Sequence, residues 1–270
     1  MATATPGTVT EHSSRGWAIV AAQELRDLWL GGRGLPLSFA FGVLLSVISY
    51  LVATNQALNF LEQQESVNLT LQVAVAAGSL LVLLTAADAI SGERERSTLE
   101  NLLLTPVSRA GLIGGKLLAA LSLWMAAFVI TIPYAWFLGR GIGLVDEAIA
   151  AGLLVGTLLA VFLASLGVVV STVASSNRIS LSVSLFLLLA LFAPTQLPTS
   201  ATRGWAGDLL LRVNPITAGE HYVGRILVNG DTWGERADWL ISPIVAAVAF
   251  SGLALIVGAR FIRLGRGGAG

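Results

Sequence analysis

Six uninterrupted apolar runs dominate this chain, and each is long enough to cross a lipid bilayer. They cover residues 36–54, 69–87, 117–138, 148–174, 179–197 and 239–259. A helix rising about 1.5 Å per residue needs about 20 mostly apolar residues to span the hydrocarbon layer. None of the runs carries Lys, Arg, Asp or Glu away from its ends, and Gln72 is the one strongly polar residue of the second. Lipid offers the backbone no water, so every N–H and C=O must be satisfied inside the segment, which selects helices. The expected fold is therefore all-α and integral to the membrane, one domain of six transmembrane helices over residues 1–270. Composition agrees: 12% of residues are charged, against about 25% in soluble domains, too few to cover a water-facing surface.

Positive charge is retained on the cytoplasmic side of a membrane protein. With the N-terminus inside, the cytoplasmic segments hold Arg15, Arg26, Arg33, Arg94, Arg96, Arg109, Lys116, Arg178, Arg260, Arg263 and Arg266. The far side holds Arg140, Arg203, Arg212, Arg225 and Arg236. Both termini are expected in the cytoplasm. Ahead of the first run, residues 16–30 place Ala18, Ala21, Leu25, Leu28 and Trp29 on one helical face, with Gln23, Glu24, Arg26 and Asp27 largely opposite. That pattern predicts an amphipathic helix lying in the headgroup plane, its segment running over 16–34. The first run lies too far along, behind too polar a lead, to read as a cleaved signal peptide.

The segment 88–116, between the second and third runs, concentrates charge and turn signals. Ser97 followed by Glu100 has the spacing of a capping box, which predicts a short helix over about 98–104 with Leu99, Leu102 and Leu103 on one face. Pro106 forbids its continuation. Ser108 is placed to cap the next helix, which runs through Lys116 into the third span. Asp88 is expected to anchor the segment through Arg94 and Arg96. In the fourth run, Gly152, Gly156, Ala160 and Ala164 recur every four residues, a stripe that suits close packing within the chain.

The run Gly92-Glu93-Arg94-x-x-Ser97-Thr98-Leu99-Glu100-x-Leu102-Leu103-x-Thr105-Pro106-Val107-Ser108-Arg109, closed by Gly115-Lys116, resembles the ABC-2 type transporter permeases. Ser97 stands where that family commonly has Gly. The resemblance extends to the amphipathic helix, the six spans and an N-P-x-x-x-x-E-H-Y stretch at residues 214–222. It implies a multi-pass permease of the plasma membrane, working as a pair with a second copy or a homologous permease. It further implies that 88–116 is a cytoplasmic coupling segment whose short helix docks on a separate cytosolic ATPase. Carried over, the docking residues are Glu93, Arg94, Thr98, Leu99, Glu100, Leu102, Leu103, Pro106 and Arg109. The resemblance also places the pathway along spans one, two and five, where Ser46, Tyr50, Gln72, Ser79, Phe186 and Phe192 are the candidates to face it. These candidates are few and the pathway is chiefly apolar, which suits an amphipathic or lipid-like cargo better than a naked ion.

The chain itself lacks the groups for catalysis. A phosphate-cradling loop needs G-x-x-x-x-G-K-[ST], and around Gly115-Lys116 the first glycine is Ala110 and Leu117 follows the lysine. ATP and magnesium are thus expected on the partner ATPase and no cofactor in this chain. Cysteine is absent and there are two histidines, so no metal site is expected, and 16 basic against 16 acidic residues give no field for a nucleic-acid partner. An ion-coupled secondary transporter needs ionisable groups inside the spans, and an intramembrane enzyme needs a nucleophile and base there; the runs contain neither set. The loop at 198–238 is expected on the external side, with short helices near 205–213 and 221–228 at the outer surface and a gating role.

Overall fold

A computed structural model describes residues 13–54, 60–98, 108–197 and 204–261. Within them every regular element is helical: α1 (Ser13–Trp29), α2 (Gly34–Ala53), α3 (Phe60–Asp88), α4 (Ser91–Glu95), α5 (Arg109–Gly139), α6 (Val145–Val173), α7 (Asn177–Phe192), α8 (Trp205–Val213), α9 (Pro215–Leu227) and α10 (Ile241–Phe261). Short 3-10 turns, Ala193–Gln196 and Ala237–Leu240, extend α7 and precede α10. Six helices are long and apolar enough to cross a membrane: α2, α3 running on into α4, α5, α6, α7 with its turn, and α10.

The hydrophobic core is built around α6. Its small residues let neighbours approach where no hydrophobic effect drives helices together in lipid. A Cβ on Gly152 would lie 2.6 Å from Leu71 of α3, and one on Gly156 would overlap the Trp124 ring of α5. Trp124 is consequently a core residue, 2% exposed, and donates its indole N–H to Thr157 Oγ1 at 3.1 Å. The stripe is an intramolecular packing face. By contrast α2, α7 and α10 are covered over only 17% of their apolar windows, against 61% for α6. Those three present their sides outward.

The two ends of the bundle differ. At one end α1 lies against the start of α5, burying Val20, Ala21 and Leu28. Gly115 makes this approach possible, since a Cβ there would stand 2.8 Å from Val20. Ala18, expected on the apolar face, is exposed, because the contact with α5 is centred one residue pair further along. At the opposite end α3 begins at Phe60, ahead of the apolar run that starts at residue 69. Its Gln63, Gln64 and Glu65 are good helix formers and carry extra turns beyond the apolar window.

Also at that opposite end, α8 and α9 fill the connection before α10. Asn214 caps α9 by accepting from Ile216 N at 2.9 Å, and Pro215 occupies the first turn, where its missing N–H costs nothing. The helix therefore begins six residues before the 221–228 stretch expected from hydrophobicity. Nor does it lie on the surface: Ile216, Ala218, Tyr222 and Leu227 are nearly inaccessible, and α9 packs on α3 and α6.

Candidate functional site

At the α1 end, α3 stops at Asp88 and the chain turns through Ala89 and Ile90 into α4. Such a break frees backbone donors that must find partners. Ser171 of α6 takes them: its Oγ accepts from Ile90 N at 3.0 Å and from Ser91 N at 2.9 Å. Ser91 in turn bonds Asn177 Oδ1 at 3.0 Å, and Ser180 donates to Ala87 O at 2.7 Å. Thus α3, α4, α6 and α7 are stitched at one point.

Charged groups extend the stitching. Asp88 accepts from Arg33 at 2.9 Å, from Arg96 at 3.0 Å and from Asn177 Nδ2 at 2.7 Å. Its carboxylate lies over Gly92, where a Cβ would collide with it. Arg94 reaches away from Asp88. Its guanidinium donates to Ala174 O at 2.6 Å and Thr172 O at 3.1 Å, satisfying carbonyls that the end of α6 leaves open and placing positive charge at the negative end of that helix. Of the two arginines expected on Asp88, Arg96 alone pairs with it, and Arg33 joins from the start of α2.

The centre of the cluster is Lys116. Its side chain is 1% exposed and bridges Glu24 of α1, at 2.7 Å, and Glu93 of α4. Glu93 Oε2 is buried and has no hydrogen-bond partner among the described residues. A buried cation between two carboxylates is costly to desolvate and more costly to leave half-paired, so α1, α4 and α5 are held as one unit. Trp29 adds a bond to Ser122 Oγ at 3.0 Å. A charged recess of about 370 Å³ opens beside these groups, lined by Glu24, Asp27, Arg33, Asp88, Arg96 and Lys116.

Ser97 does not have the extended backbone of an N-cap. It lies at φ 58° and terminates α4: Thr98 N bonds Glu93 O at 3.0 Å and Ser97 N bonds Arg94 O at 3.2 Å, the two bonds of a Schellman motif. The left-handed position is where glycine is favoured, the residue that the resembling family commonly has there. Thr98 adds a bond from Oγ1 to Glu93 O at 3.2 Å. Arg109 donates to Ala259 O at 3.0 Å near the end of α10, and Ser108 caps α5 by accepting from Gly111 N at 3.1 Å. Leu99, Glu100, Leu102, Leu103 and Pro106, and with them the expected helix at 98–104, lie outside the described residues. Of the residues assigned to docking, Glu93, Arg94 and Arg109 direct polar groups onto this chain's own helices.

The pathway candidates do not gather at one place. Ser46 bonds Tyr134 OH at 2.7 Å, tying α2 to α5. Tyr50 and Phe186 are 68% and 69% exposed on the open sides of α2 and α7. Ser79 is buried, its hydroxyl without a partner among the described residues, and Phe192 packs on the core. Gln72 lines a cavity, one of about 810 Å³ between α3, the turn after α7, and α9. Sequence reasoning missed Lys116 and Glu24 as partners, and missed Asn177, Ser171 and Glu220. The available signals were a lysine directly ahead of an apolar run and, for Glu220, its place in the 214–222 stretch.

The family described as ABC-2 family transporter protein matches residues 18–259. Among curated proteins nothing matches the chain.

Proposed function

We propose that this chain, which belongs to the ABC-2 transporter family, is the membrane-spanning subunit of an ATP-driven exporter, paired with a second copy or a homologous permease. Membership makes it a transport component of a multi-pass kind, not itself catalytic. The observation that carries the finer reading is the Lys116 cluster. A displacement applied to segment 88–116 by a cytosolic ATPase reaches α1 and α5 through Lys116, α6 through Arg94 and Ser171, and α2 and α7 through Asp88. Coupling of this sort needs a continuous set of packed and bonded groups between the sites it joins, and α4 sits where all of them meet. The termini and the Lys116 cluster lie on the cytoplasmic side in this reading, with α8 and α9 outside, in the plasma membrane. The open sides of α2 and α7, with Tyr50 and Phe186, are the faces offered to the second permease.

The test is a separation of ATPase docking from transport. The chain is co-expressed with the ATPase of the same exporter, purified in lipid and assayed for bound subunit, ATP hydrolysis and export. Lys116→Gln and Arg94→Ala are expected to retain the ATPase and its hydrolysis while export falls at least about tenfold, a change of about 1.4 kcal/mol in coupling. Lys116→Arg, which keeps the charge, is expected to restore much of it. Full export in both loss variants would overturn the reading.

A further inference from the structure

The cavity at the α9 end has an unbalanced chemistry. Its walls come from α3, the turn after α7, α8 and α9, and they combine apolar Leu69, Leu211 and Val228 with several oxygen acceptors. Glu220 is partly buried there and, among the described residues, makes no hydrogen bond or ion pair. Asn68 Oδ1, on the facing helix, is buried and also unpartnered. Three of its donors are already engaged. Arg225 is bound twice by Asp231, with both nitrogens at 2.8 Å. Thr217 Oγ1 donates to Leu211 O at 2.9 Å, and Thr195 Oγ1 to Phe192 O at 2.8 Å. A cavity with an unpaired carboxylate, an arginine already paired and apolar walls is complementary to a ligand that brings positive charge on an apolar body.

We infer that this cavity is a binding site for an amphipathic cation, with Glu220 as its counter-charge and Asn68 and Gln72 as acceptors beside it. The inference deepens the exporter reading and rests on it for direction: this would be the last site a cationic cargo occupies before release. The cavity holds about 810 Å³, room for a drug-sized molecule.

Desolvation alone pushes the Glu220 carboxyl up to about 7, so the site loses its charge on mild acidification. The charged groups on the elements around α9 are Glu62 and Glu65 near the start of α3 and Asp88 at its far end, Asp146 and Glu147 at the start of α6, Asp208 and Arg212 of α8, and Asp238 before α10. Arg178 and Arg260 sit at the far ends of α7 and α10, and His221, Arg225 and Asp231 complete the surroundings. His221 stacks on Trp239, ring centroids 3.9 Å apart. Burial and the nearby Arg225, Arg236 and Arg212 hold it below its ordinary range, which favours its neutral form.

The experiment measures equilibrium binding to the full chain in lipid nanodiscs, without ATPase or nucleotide, so that its failure is distinct from a failure of coupling. The probes are rhodamine 6G, a fixed amphipathic cation, and sulforhodamine B, which shares the ring system and is anionic. Rhodamine 6G is expected to bind about tenfold tighter at pH 8 than at pH 6, and sulforhodamine B to bind weakly at both. Glu220→Gln removes the pH dependence and leaves the weaker affinity, whereas Glu220→Asp retains a pH-dependent affinity. If Glu220→Gln does not yield folded protein by size-exclusion chromatography, the wild-type pH profile and Glu220→Asp decide alone. Equal binding of the two dyes, or an unchanged pH profile in Glu220→Gln, overturns the inference.

Discussion

Two residues show how single positions carry strain or contact in this fold. Ser97 holds a left-handed backbone, φ 58°, that costs an ordinary residue about 1–2 kcal/mol. Ser97→Gly is expected to stabilise the chain by about 1 kcal/mol, offset in part by the freedom glycine has when unfolded; a raised thermal midpoint in detergent checks it. Gly156 is the opposite case. A Cβ there overlaps the Trp124 ring, which cannot move without losing its bond to Thr157. Gly156→Ala is expected to destabilise by about 1–3 kcal/mol, read from the same midpoint. Neither effect is legible from composition. The spacing from Ser97 to Glu100 points to an N-cap, and only the backbone angle shows that α4 ends there.

At the level of elements, α9 is a short helix buried as deeply as a span. Glu220 rides on it, with a folded pKa near 7 against an ordinary 4.5. Between those values the folded chain keeps a proton that the unfolded chain has released. Stability therefore falls as pH rises from 4.5 to 7, by at most about 1.4 kcal/mol per pH unit. His221 acts in the other direction: its folded pKa is lowered, so stability is lost as pH falls below about 6.5. The contribution of Glu220 is isolated by comparing thermal midpoints of wild type and Glu220→Gln across this window. The difference is expected to shift in favour of the variant as pH rises, and a constant difference would exclude the buried acid. The helix itself was partly legible, through Asn214-Pro215 as cap and first turn. Its burial was not, because α9 is too short and too mixed in sequence to announce a core position.

For the whole molecule the sharpest prediction concerns topology. The chain contains no cysteine, so single introduced cysteines report cleanly. Ser97→Cys is expected to resist a membrane-impermeant maleimide in intact cells and to react after permeabilisation. Thr232→Cys, exposed or nearly so in the α9–α10 connection, is expected to react in intact cells. The reverse pattern would invert the assignment of both ends and place the Lys116 cluster outside.

The amino-acid sequence alone determined the six apolar segments, the small-residue face of α6, the cap at Ser108 and the family resemblance. Each of these is written in neighbouring residues or in a short period along one helix, and hydrophobic length and capping chemistry need nothing more distant. Tertiary structure alone decided where the charges go. Lys116 meets Glu24 across 92 positions and Arg94 meets Ala174 across 80, and Glu220 is set in a cavity made by helices far apart in the chain. In a low-dielectric interior a charge must take whichever partner packing brings within reach, and that choice belongs to the arrangement of helices rather than to the order of residues.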